Sequence, residues 1–338
     1  MKCTVLTLGP NNASLTCYVQ DPSPSLANAA TRPAVLILPG GGYQYCSDRE
    51  AEPVALAYLA EGLNAFVLRY TVGRDCPLDK ALADAQAALS HLRDHAAALH
   101  IDPHKIAAVG FSAGGHLAAA LGTQSRIRPD AMVLGYAVTL GATWGPVGRP
   151  QEPDLGDLVD DATPPAFLFA TQGDSLVPVK NSLAFAGALA DHDIPFALHV
   201  FPTGGHGLSL ASPCTCGGDS DRVNAEAAAW LPMSVQFLRD LWGALGVAAP
   251  SRELAGQMGG GPLGLDVPFR RLLKNPAAAA VLRRRLPEVL PILQQNPLFA
   301  GASLRQLTGF MPEAYSEEFL NAVDAELAAC RQPPQPEP

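Results

Sequence analysis

Along the first 250 residues, short unbroken apolar runs alternate with longer stretches in which apolar side chains recur every three or four positions. The runs fall at 34–38, 65–69, 105–109, 131–136, 166–170 and 196–201. Most are continuous rather than alternating, the pattern of parallel strands covered on both faces. Helical stretches lie between them, at 50–61, 77–99, 115–121, 179–191 and 225–242. Within 78–99, Leu82, Leu89 and Leu92 with interleaved alanines supply the stripe that a helix buries. Strand and helix in alternation predict right-handed crossovers and a three-layer α/β sandwich around a mostly parallel sheet.

The texture changes after residue 248. Residues 249–267 are rich in Gly, Pro and Ala and read as a linker. Residues 268–330 read as a small helical domain of three or four helices. Asn275-Pro276 and Asn296-Pro297 each place an N-cap before a proline at the first helical position, and Ser316 caps a last helix with Phe319, Leu320, Val323 and Leu327 on one face. The proline-rich residues 331–338 read as a disordered tail. No internal repeat is visible.

Composition narrows the function. The 338 residues are 48% hydrophobic and 16% charged, enough apolar material for a sizeable core. A net charge of −9 argues against nucleic acid as a partner. Residues 251–338 hold nine basic and nine acidic side chains, so the acidic excess belongs to the first 250. No stretch approaches the length of a membrane span, and the N-terminus lacks the apolar core of a signal peptide. Seven scattered cysteines suit reduced thiols in a cytoplasm better than a disulfide framework.

Chemistry enters at Gly110-Phe111-Ser112-Ala113-Gly114, a G-x-S-x-G elbow between an apolar run and an alanine-rich helix. Small neighbours allow a tight turn that exposes the serine oxygen beside a helix N-terminus, where negative charge is favoured. A serine needs a base, and the base needs an orienting acid. Asp174, after a strand and a glycine, is the candidate acid. His206, flanked by glycines after the last strand, is the candidate base. Asp154, Asp157, Asp160 and Asp161 precede the strand and read as a solvated loop. His91, His95, His100 and His104 lie on or beside a polar helix face, His192 and His199 lack a glycine loop, and His116 reads as a packing residue or a supporting neighbour. Pro39-Gly40-Gly41-Gly42 closes the first run with three glycines and no following Lys-Ser/Thr, which excludes a phosphate cradle. The backbone amides of Gly41, Gly42 and Ala113 are the candidate oxyanion donors. Cys214-Thr215-Cys216 supplies half of a zinc site and no second pair has ligand spacing, so neither metal nor organic cofactor is expected.

These stretches, with Asp84-Ala85-Gln86, Asp102-Pro103-His104, Thr163-Pro164-Pro165 and the segment 199–207, resemble the α/β-hydrolases of the esterase/lipase type, in particular the subgroup related to bacterial acetyl-xylan esterases. The resemblance covers roughly residues 30–242. It implies an α/β-hydrolase sandwich, a Ser112, Asp174, His206 triad, and hydrolysis through an acyl-enzyme of short acyl esters, often of sugars. Pro39 stands where lipase-like relatives carry His, which leaves the oxyanion donors intact. With no signal peptide visible, the resemblance suggests a cytoplasmic enzyme on imported acylated oligosaccharides. Tyr43, Tyr45 and Trp144 suit the walls of a sugar pocket as well as they suit core packing. Two other readings stay open: a serine peptidase of the prolyl-peptidase type, and a scaffold or homo-oligomer assembled through the helical tail.

Overall fold

The computed structural model describes residues 1–73, 77–147, 152–251, 254, 263–295, 297–310 and 315–330. The chain divides into two compact units, 1–249 and 250–338.

The first unit is built on one eight-stranded sheet in the order β1-β2-β4-β3-β5-β6-β7-β8. Its strands are β1 Lys2–Leu8, β2 Ala13–Val19, β3 Arg32–Leu38, β4 Asn64–Arg69, β5 Ile101–Phe111, β6 Ala131–Gly135, β7 Ala166–Thr171 and β8 Phe196–Phe201. All six expected strands are present within a few residues of their expected bounds. From β4 to β8 every pairing is parallel. Two strands were not anticipated: β1 and β2 form an antiparallel hairpin whose second strand pairs antiparallel with β4 and finishes that edge. In β2, Ala13, Leu15 and Cys17 turn inward, and Ser14 and Thr16 are only partly covered, a period of two on a one-sided edge.

The central strands are buried on both faces, as their unbroken apolar runs require. Every residue of β6 and β7 is buried. The helices of this unit are α1 Glu52–Ala60, α2 Leu78–Asp94, α3 Ala113–Thr123, α4 Lys180–Asp191 and α5 Trp230–Trp242. Leu89 and Leu92 of α2, Leu117 and Leu121 of α3, and Phe185 and Leu189 of α4 join the inward residues of β3, Ala34, Leu36 and Leu38, in one core. Val35 and Ile37 are equally buried on the opposite side of β3. Tyr58 of α1 and Ser234 of α5 share a buried hydrogen bond of 2.8 Å. The result is the expected three-layer sandwich.

The second unit has its own core. Among the described residues it holds five short α-helices rather than three or four: α6 Phe269–Lys274, α7 Pro276–Arg285, α8 Val289–Gln295, α9 Leu304–Phe310 and α10 Glu317–Ala328. Asn275 accepts from the amides of Ala277 and Ala278 with Pro276 at the first position, and Ser316 accepts from Phe319. Leu320, Val323 and Leu327 are buried, with Phe319 packed beside them. Leu263, Leu265 and Val267, at the end of the expected linker, belong to this core because their apolar side chains find cover there. Asn296, most of the linker and the tail at 331–338 lie outside the described residues.

Candidate active site

Four loops leave the carboxyl ends of parallel strands and converge on one spot. The first, after β5, is the elbow. Ser112 adopts φ 54°, ψ −118°, a conformation foreign to most L-residues. It is held by three backbone bonds: its N–H donates to Gly135 at 3.0 Å, and its carbonyl accepts from His116 at 3.0 Å and Val138 at 3.3 Å. The flanking glycines are obligatory. A Cβ on Gly110 would lie 2.1 Å from the Gly114 carbonyl, and one on Gly114 would lie 2.0 Å from that of Leu38.

The loop after β7 carries Asp174. Its Oδ1 accepts from the amides of Leu176 at 3.0 Å and Val177 at 2.9 Å, which leaves Oδ2 directed at His206 Nδ1, 2.7 Å away. The Asp174 side chain is almost wholly buried, where such a contact is strong. The loop after β8 carries His206, tied to β7 by a hydrogen bond from Thr171 Oγ1 to the Gly204 carbonyl at 2.8 Å. Its Nε2 lies 2.9 Å from Ser112 Oγ. With Nδ1–H directed at the carboxylate, Nε2 is free to accept the serine proton. Ser112, His206 and Asp174 thus form one continuous hydrogen-bonded line.

The loop after β3 supplies amides. Gly40 N–H is already engaged, donating to Glu50 Oε2 at 2.8 Å. The N–H groups of Gly41, Gly42 and Ala113 have no acceptor among the described residues, and all three residues border the same cavity as Ser112. Gly41 at φ 130° and Gly42 at φ 62° use backbone that side chains disfavour.

That cavity, about 140 Å³, separates the three aromatic candidates. Tyr45, 62% exposed, stands at the mouth with Leu176. Trp144, 2% exposed, forms an inner wall with Val138 and Val177. Tyr43 does not reach the cavity. Its ring is buried and its hydroxyl meets His116 Nδ1 at 2.8 Å, because both polar groups need a partner once covered. The Trp144 ring packs edge-on against His116, with centroids 5.1 Å apart. His116 therefore supports the wall, the supporting place its sequence position suggested.

Sequence reasoning did not find Arg49, Glu50, Tyr136 or Ser209. Arg49 Nη1 donates to the carbonyls of Gly207 at 2.7 Å and Thr215 at 3.2 Å. Tyr136 Oη donates to Glu50 Oε1 at 2.6 Å, and the Tyr136 ring stands edge-on to His206 at 5.1 Å. Burial pushes the Tyr136 phenol well above its ordinary pKa, and the adjacent Glu50 carboxylate adds to the shift. Only the left-handed φ of 35° at Tyr136 marks the spot as special, and no residue type announces it.

No group of His, Cys, Asp and Glu among the described residues has metal-binding geometry, and no described helix is long and apolar enough to cross a membrane. The six described cysteines are free.

Comparison with known proteins adds context. Residues 23–133 match the family described as BD-FAE, and residues 154–215 match the prolyl oligopeptidase family. Endo-1,4-beta-xylanase B of Butyrivibrio fibrisolvens is 36% identical over 210 residues, covering 54% of this chain and 33% of that protein. Acetylxylan esterase of Xylanibacter ruminicola is 26% identical over 235 residues, 62% of this chain and 47% of that protein. The chain thus spans about a third and about half of these two relatives. The crystal structure of MGS-M1, an alpha/beta hydrolase enzyme from a Medee basin deep-sea metagenome library, is 44% identical with a TM-score of 0.68, covering 71% of this chain and 98% of that one.

Proposed function

We propose that this chain, which belongs to the α/β-hydrolase superfamily, is a serine carboxylic ester hydrolase that removes short acyl groups, acetyl above all, from sugars or xylo-oligosaccharides. The observation that carries this reading is the line Ser112 Oγ, His206 Nε2, His206 Nδ1, Asp174 Oδ2, with gaps of 2.9 and 2.7 Å.

In the reaction, Ser112 Oγ attacks the ester carbonyl carbon while its proton passes to His206 Nε2. Asp174 fixes the tautomer and stabilises the imidazolium. The amides of Gly41, Gly42 and Ala113 receive the oxyanion of the tetrahedral intermediate. Collapse breaks the bond to the alcohol, which takes the proton from His206 and leaves an acyl-enzyme on Ser112. Water then adds to that acyl carbon, giving its proton to His206, and the second collapse releases the acid and restores the serine.

Cavity shape supports the choice of substrate. The closed end between Val138, Trp144 and Val177 suits a small acyl group, and Tyr45 at the open mouth offers an aromatic face to a sugar ring. An acetylxylan esterase among the relatives points the same way. Free thiols fit a reducing compartment, and we assign the reaction to the cytoplasm.

Hydrolysis of p-nitrophenyl acetate by the wild type and by Ser112→Ala tests the nucleophile. A loss on the order of 10⁶ in kcat, the scale of triad removal in subtilisin, is expected, and equal rates would remove the assignment. Acetylated xylo-oligosaccharides assayed against simple alkyl acetates test the alcohol. The match of residues 154–215 to the prolyl oligopeptidase family favours a second reading, a serine peptidase on the same triad. Turnover of peptide anilides faster than esters would promote it.

A further inference from the structure

Glu50 borders the cavity, is 3% exposed, and has no part in the proton relay or among the oxyanion donors. Its Oε2 accepts from Gly40 N–H at 2.8 Å and its Oε1 from Tyr136 Oη at 2.6 Å. Ser209 N–H donates to the same Tyr136 oxygen at 2.9 Å, so the phenol proton points at Glu50. Both carboxylate oxygens therefore accept, the pattern of an ionised group. A charge taken out of water is unfavourable unless well hydrogen-bonded, and here the bonds from Gly40, in the loop after β3, and from Tyr136, just past β6, offset the penalty.

We propose that Glu50 is a positioning residue that holds the oxyanion loop and the His206 loop in register, acting through Gly40 on one side and Tyr136 on the other. Gly40 immediately precedes the proposed donors, and its fit is tight. A Cβ there would lie 2.7 Å from Glu50 Oε2, 2.8 Å from the Phe111 carbonyl and 3.1 Å from Ser112 Cβ. The other arm runs through Tyr136, whose N–H is fixed to the Phe169 carbonyl at 2.7 Å and whose ring buttresses His206. Ser209, three positions past His206, is gripped a second and third time: its Oγ donates to the Arg49 carbonyl at 2.5 Å, and Trp230 Nε1 donates to its carbonyl at 2.8 Å. Glutamine at position 50 has the same shape with one acceptor oxygen. The Gly40 N–H can only donate, so the amide oxygen must stay on it and the amide nitrogen would face Tyr136, where the carboxylate–phenol link of the chain would fail.

The inference rests on the esterase reading of this same site. Its test measures kcat and KM on p-nitrophenyl acetate for Glu50→Gln, Tyr136→Phe and the double variant, with thermal melting of each. Both single variants are expected to lower kcat by roughly 10- to 100-fold, the scale of an ångström-sized misplacement. KM is expected to stay within about two-fold, since no contact to bound substrate is removed. Because both substitutions break one link, the double variant falls no further than the worse single. Wild-type kcat in Glu50→Gln, a defect confined to KM, or multiplied losses in the double variant would overturn the proposal. Should Glu50→Gln not fold, Tyr136→Phe decides alone, since it leaves the carboxylate on Gly40, and wild-type kcat there is equally fatal. Ser112→Ala is run beside them. Wild-type turnover no faster than Ser112→Ala refutes the esterase reading itself. Serine-dependent turnover with both singles fully active refutes only the role of Glu50.

Discussion

Asp174 holds His206 through one carboxylate oxygen at 2.7 Å, and its other oxygen is occupied by the amides of Leu176 and Val177. An amide at position 174 must keep its oxygen on those two donors, so its NH₂ would face His206 Nδ1. The ring would then carry its proton on Nε2, aimed at Ser112, and lose the capacity to accept the serine proton. Asp174→Asn is accordingly expected to fold normally and to lose about 10⁴ in kcat. Stopped-time assays of ester hydrolysis beside circular dichroism check it, and turnover within ten-fold of wild type would contradict it.

Gly41 and Gly42 are neighbours with different tolerance. A Cβ on Gly41 would lie 2.0 Å from the Tyr45 carbonyl, whereas the space around Gly42 is open and only its φ of 62° resists a side chain. Gly41→Ala must shift the loop, and a loss of at least about 10² in kcat is expected, the scale of one missing oxyanion donor. Gly42→Ala is expected to fall between Gly41→Ala and the wild type. The reverse order of activities would remove the loop from the proposed oxyanion hole.

Trp144 sets the depth of the closed end. Trp144→Leu opens that wall, and the ratio of kcat/KM for p-nitrophenyl butyrate over acetate is expected to rise by roughly ten-fold. The vacated volume also leaves the edges of His116 and Tyr43 uncovered, at a stability loss of about 2–4 kcal/mol measurable by urea denaturation. An unchanged ratio would place the acyl group elsewhere.

How much of this was legible in the chain follows from the range of each interaction. The strands β3 to β7 were readable because burial on both faces imposes an unbroken apolar run, whereas β8, a partly covered edge strand, was readable from its short apolar stretch alone. Ser112, Asp174 and His206 were readable because each sits where a strand gives way to a glycine-flanked loop, a local mark. The β1–β2 hairpin was passed over because Lys2–Leu8 is mostly exposed and carries no strong period. Glu50 and Tyr136 left no trace in the sequence. Their meaning is a contact across 86 positions, and no local pattern encodes it. Tyr43 beside the glycines suited a pocket wall and core packing alike, and only the structure shows its ring set into the core, with left-handed backbone at φ 58°.

The cysteines divide by burial. Covered by protein, the thiols of Cys17 and Cys46 are pushed up to about 11, so at pH 8 only about one in a thousand of each is the reactive thiolate. That fraction grows only as pH climbs toward 11. Cys214 is exposed. Iodoacetamide at pH 8 followed by peptide mass mapping is expected to label Cys214 and the equally exposed Cys3 first and to spare Cys17 and Cys46. Labelling of Cys46 ahead of Cys214 would contradict the placement of the segment 43–50.

The unusual backbone at Ser112 has a consequence for heat. An unrestrained serine leaves φ 54°, ψ −118° readily, and only the Gly135, His116 and Val138 contacts prevent it. Those contacts join the tips of β5 and β6 to the first turn of α3, all of them buried. A conformation anchored that deep has no loose end from which to relax. On warming, ester turnover is therefore expected to vanish together with the tertiary structure rather than ahead of it.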